Sequence, residues 1–150
     1  MSFKFLYTDE KSEDFINLTE KINKYYLSLF GDQAIEYQNY NQINEKHYVC
    51  LVYKNSLAIG CGSFKIIDSE TVEMKRFFIE EKYRSQKLGS KVMKKLEKIA
   101  KDKGYKKSIL STGTDMPKSI NFYKKLNYKV IKNYYPYINY EEDLCLGKDL

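Results

Sequence analysis

The sequence predicts an α/β domain built on a mixed, mostly antiparallel sheet with flanking helices, and two patterns carry this prediction. Three apolar runs, at 47–54, 56–67 and 71–79, are joined by short polar links, which is typical of an antiparallel meander. A long segment with helical periodicity then separates the third run from another apolar run at 106–112. Two strands joined through a helix of this length imply a parallel crossover, so we expect 71–112 to form the centre of the sheet.

The segments before this centre predict a strand, two helices and a hairpin turn. A short apolar-rich run at 3–7 is a strand candidate, and from residue 13 apolar side chains recur at near-helical spacing until Gly31. A weaker helical pattern follows at 33–43. Asn55-Ser56 is predicted to form the turn between the first two strands of the meander.

The crossover helix is the most regular element of the sequence. Its lysines fall largely outside one apolar stripe, and Gly104 stands at the expected C-terminal cap. A shorter helix at 117–127 begins with Pro117, a residue favoured in the first helical turn. Strands at 128–131 and 142–148 complete the predicted sheet. The apolar stripe consists of Leu88, Val92, Met93, Leu96, Ile99 and Ala100.

Composition limits the classes of protein that fit. The chain has 150 residues, which fits a single domain over 1–150, and its net charge of +6 comes almost wholly from lysine. Arg76 and Arg84 are the only arginines, and the lysines are spread among acidic residues along the chain. Nucleic-acid-binding proteins instead cluster their charge and favour arginine. We therefore expect a solvated, soluble surface and no nucleic-acid partner.

The cysteines and the N-terminus indicate the compartment. Cys50, Cys61 and Cys145 lack the paired spacing of a zinc site, and the first two lie in apolar runs, which indicates buried free thiols and no metal. Charged residues begin at Lys4, too early for a secretory hydrophobic segment, and no apolar run reaches the length of about eighteen residues that spans a bilayer. We expect a cytoplasmic protein, monomeric or homodimeric, that does not bind membranes.

The turn before the crossover helix, YRSQKLGSK, gathers the features of an anion site. Ser85 is positioned to cap the helix, Gly89 allows a ligand to approach the backbone, and Arg84 supplies a fork of donors. The amides at a helix N-terminus lack intrahelical partners and carry the positive end of the helix dipole. The turn fits a phosphate site as well as it fits the alternative, an ordinary capped helix with a lysine-rich exposed face.

The run VEMKRFFIEEKYRSQKLGSKVMKKLEKIAKDKGYKK, followed by INFYKKLNYKVI, resembles the acetyl-CoA-binding core of the GNAT superfamily of N-acetyltransferases over about residues 56–132. The family's turn, Arg/Gln-x-x-Gly-x-Gly/Ala, matches at Arg84 and Gly89, whereas Lys87 replaces the middle glycine. A lysine there costs about 1–2 kcal/mol if the backbone needs a positive φ, and little if the backbone is helical.

A second motif strengthens the resemblance. FYKKLNYKVI is similar to the family's Tyr-x-x-x-Gly-Phe signature, with Asn127 in the glycine position. Asparagine also tolerates left-handed dihedral angles at a helix end, so this change is mild. Met116 stands where the family often has asparagine, and no side-chain contact from that position to the cofactor is expected.

The resemblance implies that acetyl-CoA is the co-substrate, and acyl transfer to an amine needs no metal. Backbone groups at the end of the strand before the turn would pair with the pantetheine arm as an added strand, and amides of the turn would hold the pyrophosphate. The residues implied in these roles are Phe78 and Ile79 for pantetheine and Arg84, Gln86, Lys87, Leu88, Gly89 and Ser90 for the turn.

Glu73 is the candidate general base, because it stands alone between Val72 and Met74 in an apolar strand. An amine must lose a proton before acyl transfer, and a carboxylate kept in a cleft can accept it. The alternative is an exposed charge pair with Lys75, its neighbour on the same face of the strand. The resemblance favours the base, since some family members place a catalytic glutamate at this position.

Tyr123 is the candidate general acid. Its spacing from Ile120 and Leu126 puts all three on one helix face, which by itself favours a core tyrosine. The resemblance favours catalysis instead, because Tyr123 falls on the family's tyrosine, where a phenol commonly points at the CoA sulfur. A phenol is protonated at neutral pH and can donate to a developing thiolate.

The resemblance therefore implies an N-acetyltransferase that moves an acetyl group from acetyl-CoA directly to a primary amine of a small molecule or peptide. The tyrosine-rich stretches 24–42 and 133–143 either form the walls of an acceptor cleft or pack at the rim of the sheet. The acidic residues at 141–143 either attract an amine or are solvated. His47 is expected at a strand edge or on the surface. Because the sequence departs from the family pattern, the alternative function is a module that senses acyl-CoA without turnover. A third hypothesis, motivated by net charge alone, is a nucleic-acid-binding protein.

Overall fold

A computed structural model describes residues 2–31 and 45–150 of the chain, so the helix expected at 33–43 lies outside the described residues. The helices are α1 (Glu13–Phe30), α2 (Leu88–Asp102) and α3 (Pro117–Lys125), and a single turn of 3₁₀ helix covers Glu81–Tyr83. The strands are β1 (Phe3–Asp9), β2 (Tyr48–Lys54), β3 (Leu57–Ile66), β4 (Thr71–Ile79), β5 (Lys107–Gly113), β6 (Lys129–Ile131) and β7 (Asp143–Asp149).

The strands of the described residues form one seven-stranded sheet in the order β1-β2-β3-β4-β5-β7-β6. Every pair of neighbours is antiparallel except β4 and β5, which run parallel and are joined through α2. This confirms the predicted mixed sheet, the meander and the crossover. The sequence did not predict that β7 inserts between β5 and β6.

Helices cover both faces of the sheet. The predicted stripe of α2 packs on one face, where Leu88, Val92, Met93, Leu96 and Ala100 are all buried. On the other face α1 buries Phe15, Leu18 and Ile22 against Val49, Leu51 and Cys61. Burial of large apolar side chains contributes about 1.5–3 kcal/mol each, so these two layers provide most of the stabilisation.

The two central strands, β4 and β5, pair over only part of their length. The parallel pairing of β4 with β5 covers only Thr71, Val72 and Glu73, opposite residues 107–109, although both strands continue beyond it. Past this point β4 follows β3, and β5 follows β7. The divergence opens a cleft between β4 and β5.

A bulge bends β4 where the cleft begins. Arg76 has a positive φ of 59°, and the register with β3 shifts between Cys61 and Ser63. Gly62 faces the bulge, and a Cβ at Gly62 would lie 2.7 Å from the Phe77 ring. Glycine at this position therefore makes room for a ring that the bulge turns toward α2.

A buried polar network lies on the α2 side of the sheet, where β4 and β5 still pair. The Tyr128 hydroxyl lies 2.7 Å from the Ser108 hydroxyl of β5 and donates to Glu97 of α2 at 2.8 Å. Lys148 of β7 lies 3.0 Å from the same carboxylate. Asn127, just before Tyr128, has a φ of 72°, as expected for asparagine in the family's glycine position. The network ties α2 to the strands that diverge above it.

No helix in the described part of the chain is long and apolar enough to cross a membrane. The thiols of Cys50, Cys61 and Cys145 are free and buried, as predicted.

Candidate active site

The cleft between β4 and β5 encloses about 200 Å³. Side chains from four directions meet in it: β4 and β5 form its floor, while α1, α3 and the loop at 132–142, here called the β6–β7 loop, form its walls. Its lining includes Tyr26 of α1, Glu73 of β4, Tyr123 of α3 and Tyr137 of the β6–β7 loop. The structure thus brings together the two side chains predicted from sequence to be catalytic.

Tyr123 lies half-buried on α3 and faces the cleft. Its ring packs edge-on against Phe122 at 5.2 Å and Tyr128 at 6.1 Å, which fixes its direction. Among the described residues its hydroxyl has no hydrogen-bond partner. Burial raises the pKa of this phenol above the usual tyrosine value, so it stays protonated at neutral pH.

Glu73 is buried, with only 3% of its surface exposed, so the exposed charge pair considered for it is wrong. It does meet Lys75, at 3.8 Å from Oε1, and Lys65 lies at the same distance. The hydroxyl of Tyr134 donates to Oε2 at 2.6 Å. Burial and the Glu73 carboxylate both raise the pKa of Tyr134, and burial lowers that of Lys75.

Asp143 is a second buried carboxylate of the cleft, and the sequence left open whether the acids at 141–143 attract an amine or are solvated. It is 8% exposed, and its Oδ2 atom has no hydrogen-bond partner among residues 2–31 and 45–150. Burial, followed by the charge of Glu142, raises its pKa to about 6. The acidic run at 141–143 was its only signal in the sequence, and such runs are ordinarily solvated.

The turn at 84–90, here called the α2 turn, differs from its expected cap. Lys87 is the N-cap residue, with φ 60° and ψ 20°, and no side chain caps the helix. Ser85, predicted to be the cap, instead has a φ of 70°. Because Ser85 and Lys87 both have left-handed backbone conformations, the first hydrogen bond of the helix runs from the Lys91 amide to the Lys87 carbonyl, at 3.1 Å. The amides of the turn that precede this bond therefore lack intrahelical partners.

The other residues of the α2 turn divide between core and surface. Leu88 is buried in the core, Gln86 is exposed, and Ser90 is half-buried. A Cβ at Gly89 would meet the tip of the Phe122 ring at 3.3 Å. Glycine at 89 therefore serves the close packing of α2 against α3, besides any ligand.

Arg84 folds back over the end of β4. Its Nε donates to the Ile79 carbonyl at 2.8 Å, and its guanidinium stacks over Phe78 and Tyr25 at 5.8 and 5.9 Å. One face of the guanidinium fork is thus committed to protein groups.

The backbone of β4 presents alternate residues to its two neighbours. The Glu80 amide donates to the Ile59 carbonyl of β3 at 2.8 Å. Since backbone groups alternate along a strand, those of Phe78 also point to β3, and those of Phe77 and Ile79 point to the cleft. Of the two residues predicted to pair with pantetheine, Ile79 has its backbone on the open side, where its carbonyl already accepts a hydrogen bond from Arg84.

Three other expectations can be compared with the structure. His47 is 1% exposed and its Nδ1 lies 3.0 Å from the Glu45 carbonyl, so the surface position expected for it is wrong. It precedes β2, away from the cleft lining, and burial lowers its pKa. Burial raises the pKa values of Cys50 and Cys61 to about 11 and about 12, which keeps both thiols protonated. Within the described residues no cluster of His, Cys, Asp and Glu side chains could hold a metal ion.

The sequence model of the acetyltransferase (GNAT) family matches residues 14–128. Uncharacterized protein YyaT of Bacillus subtilis (strain 168) is 30% identical over 98 residues, which cover 65% of this chain and 64% of that protein. Probable N-acetyltransferase 14 of Xenopus tropicalis is 30% identical over 93 residues, which cover 61% of this chain and 45% of that protein. The chain thus spans less than two thirds of the length of either relative.

Solved structures share the whole fold. The PaiA N-acetyltransferase of Thermoplasma acidophilum, in complex with coenzyme A, has a TM-score of 0.77 at 21% identity, with full coverage of both chains. A GNAT family acetyltransferase of Elizabethkingia anophelis with acetyl-CoA bound has a TM-score of 0.69 at 21% identity, covering 99% of this chain and 98% of that one. At these identities the likeness shows the fold.

Proposed function

Because the chain belongs to the acetyltransferase (GNAT) family, we propose that it transfers the acetyl group of acetyl-CoA directly to a primary amine of a small molecule or peptide. The observation that carries this proposal is the cleft at the parting of β4 and β5. It holds Tyr123 and two buried carboxylates, Glu73 and Asp143.

The α2 turn supports the binding of the pyrophosphate. The amides before Lys91 lack intrahelical partners, and the positive end of the α2 dipole favours an anion there. We propose that amides from Gln86 to Ser90 hold the phosphates, with Lys87 and Arg84 supplying positive charge. Ile79 would pair its backbone with the pantetheine arm, in the manner of an added strand.

The chemistry requires a proton acceptor for the amine and a donor for the departing sulfur. We propose Tyr123 as the donor, because its hydroxyl faces the cleft, has no hydrogen-bond partner among the residues that the structure describes, and is protonated. A hydrogen bond from this phenol would stabilise the negative charge that develops on sulfur. The acceptor is a carboxylate of the cleft, either Glu73, as predicted from sequence, or Asp143.

Direct transfer is favoured over an acyl-enzyme on the thiols. Cys50 and Cys61 are wholly buried, and their raised pKa values leave little thiolate, which is the nucleophilic form. Neither lines the cleft. Burial also raises the pKa of Cys145.

Titration with acetyl-CoA, followed by thiol release in the presence of a panel of amines, tests the proposal. We expect acetyl-CoA to raise Tm, since a ligand that binds the folded state stabilises it, and at least one amine to release CoA. Gly89→Glu should abolish the Tm shift by placing charge and bulk beside the pyrophosphate.

Gly89→Ala is the matched control, because it adds only the Cβ that meets Phe122. It should lower Tm slightly and keep most of the ligand-induced shift. Binding without thiol release from any amine would support the alternative, an acyl-CoA-sensing module. That alternative is motivated by Lys87, which holds a left-handed conformation where the family has glycine. No binding at all would contradict both.

A further inference from the structure

Asp143 lines the cleft from the start of β7. It is the first residue of β7 and pairs with Gly113, the last residue of β5. By strand alternation its side chain shares a sheet face with Cys145, opposite the α2 core to which Leu144 and Leu146 belong. That face is the one covered by α1, and Asp143 and Tyr26 of α1 line the same cleft.

The backbone around Asp143 is held in place by the β6–β7 loop. The Asp143 amide donates to the Tyr140 carbonyl at 3.2 Å. The Asn133 side-chain amide donates to the Asp143 carbonyl at 3.0 Å and also to the carbonyls of Tyr137 and Tyr140, at 3.2 and 3.3 Å. A fixed carboxylate whose buried Oδ2 has no partner in the described residues is costly unless a ligand supplies one.

Charged and titratable groups of every neighbouring element face this part of the cleft. Glu142 and Asp115 add negative charge to the lining beside Asp143, whereas β4 contributes Glu73, Lys75 and Arg76 to its floor. Lys75 is paired with Glu73, and Arg76 donates to Asn23 of α1 at 2.8 Å. Burial raises the pKa values of the neutral groups that remain, which are Tyr26, Tyr123, Tyr137 and Cys145.

The two carboxylates of the cleft differ in what already binds them. Both oxygens of Glu73 face protein donors, with Tyr134 on Oε2 and two lysines within 3.8 Å of Oε1. Protein groups therefore already occupy positions around Glu73 from which an ammonium group could donate. Asp143 Oδ2 has no such donor among the described residues, and its strongest charged neighbour is another acid.

We propose that Asp143 binds the ammonium group of the acceptor and takes its proton, so that it, and not Glu73, is the catalytic base. The inference rests on the proposed acetyl transfer. The N–H bond of the ammonium breaks and its proton passes to Asp143 Oδ2, and the freed lone pair attacks the thioester carbonyl carbon. As the C–S bond breaks, the sulfur keeps its electron pair and takes a proton from Tyr123. The nitrogen loses its second proton to solvent, solvent returns one to Tyr123, and Asp143 releases its own, so one proton leaves per turnover.

This assignment specifies the class of acceptor. A carboxylate in a buried, acidic corner favours amines that arrive as cations, such as alkylamines and lysine-like side chains. Aromatic amines are neutral at pH 7 and have no proton to give before attack. They gain little from Asp143, which makes them an internal control for its role.

The test compares wild-type protein with Asp143→Asn in steady-state thiol release, using alkylamines and aromatic amines from pH 5 to 9. We expect Asp143→Asn to lower kcat/KM for alkylamines at pH 7.5 by about 100-fold or more, the range typical of a lost general base. Aromatic amines should lose less than about tenfold. The Tm shift caused by acetyl-CoA should be unchanged, because the pyrophosphate site lies at the α2 turn.

The pH profile is the second readout. In the wild type, kcat/KM should fall below the pKa of Asp143, about 6. In Asp143→Asn that limb should disappear, and the alkylamine rate should climb with the fraction of free amine. Glu141→Gln, an exposed neighbour outside the cleft lining, makes the same chemical change and should behave as the wild type.

Two results would overturn the assignment. One is an Asp143→Asn variant within about threefold of the wild type for alkylamines, and the other is an equal loss for alkylamines and aromatic amines. A wild-type protein that releases no thiol with any amine contradicts the acetyltransferase proposal itself, and the Asp143 assignment with it.

Discussion

The phenol of Tyr123 faces the cleft with its ring held by Phe122 and Tyr128 and with no protein partner for its hydroxyl in the described residues. Tyr123→Phe keeps the ring and deletes the donor. We expect kcat to fall at least about tenfold, while the free energy of unfolding changes by less than about 0.5 kcal/mol. Turnover kinetics and a thermal melt measure the two effects. A variant as fast as the parent would make Tyr123 a packing residue.

Replacement of Glu73 tests which carboxylate of the cleft is the catalytic base. Its carboxylate is bound by Tyr134 and lies between Lys65 and Lys75, so we assign it to holding that cluster. Glu73→Gln should therefore lower turnover by less than about tenfold and leave acetyl-CoA binding intact. A loss of about 10²–10⁴-fold in kcat would return the base role to Glu73, as the sequence resemblance predicts, and would contradict the role of Asp143.

The raised pKa of Asp143 should also make the stability of the folded protein depend on pH. Its pKa is raised from 3.8 to about 6, so between these values the folded protein binds more protons at this site than the unfolded chain. Stability contributed by the protonated form is present below this window and is lost as pH rises through it. The Tm of Asp143→Asn relative to the wild type should rise between pH 4 and 6 and then level off. A difference that stays flat over this range would contradict the raised pKa.

Among the elements, the α2 turn departs most from its family pattern. Lys87 adopts a left-handed conformation at φ 60°, which costs a side chain about 1–2 kcal/mol. Lys87→Gly and Lys87→Ala both remove the charge, and only the first relieves the backbone. Lys87→Gly should melt higher than Lys87→Ala by a few degrees, about 1 kcal/mol, because glycine's greater unfolded entropy offsets part of the gain. Equal Tm values would show that the turn is not strained.

The helices, strands and turns also differ in how far the sequence alone can predict them. The stripe of α2, the hairpin at Asn55 and the parallel crossover follow from local periodicity and turn chemistry, and all are present. The bulge at Arg76 and the insertion of β7 beside β5 depend on pairing between distant segments. The cap was misplaced for a related reason: a serine before a helix usually caps it, but left-handed conformations at Ser85 and Lys87 moved the helix start to Leu88.

For the whole molecule, the cleft exists because seven strands are arranged around one parallel pair that separates. Glu73, Tyr123 and Asp143 come from β4, α3 and β7, far apart along the chain, and the fold alone brings them to one cavity. The sequence predicted Glu73 and Tyr123 through family motifs. Asp143 lay in an acidic run with no motif, and only its burial in the folded chain distinguishes it from solvated acids beside it.

We propose direct transfer of the acetyl group from acetyl-CoA to an amine in this cleft. Incubation with isotopically labelled acetyl-CoA and an alkylamine, followed by mass spectrometry of both product and protein, tests it most directly. Direct transfer predicts labelled N-acetylated amine, free CoA in equal amount and no labelled acetyl group on the protein, with product formation reduced in Tyr123→Phe. Labelled acetyl accumulating on the protein, or CoA release without acetylated amine, would contradict it.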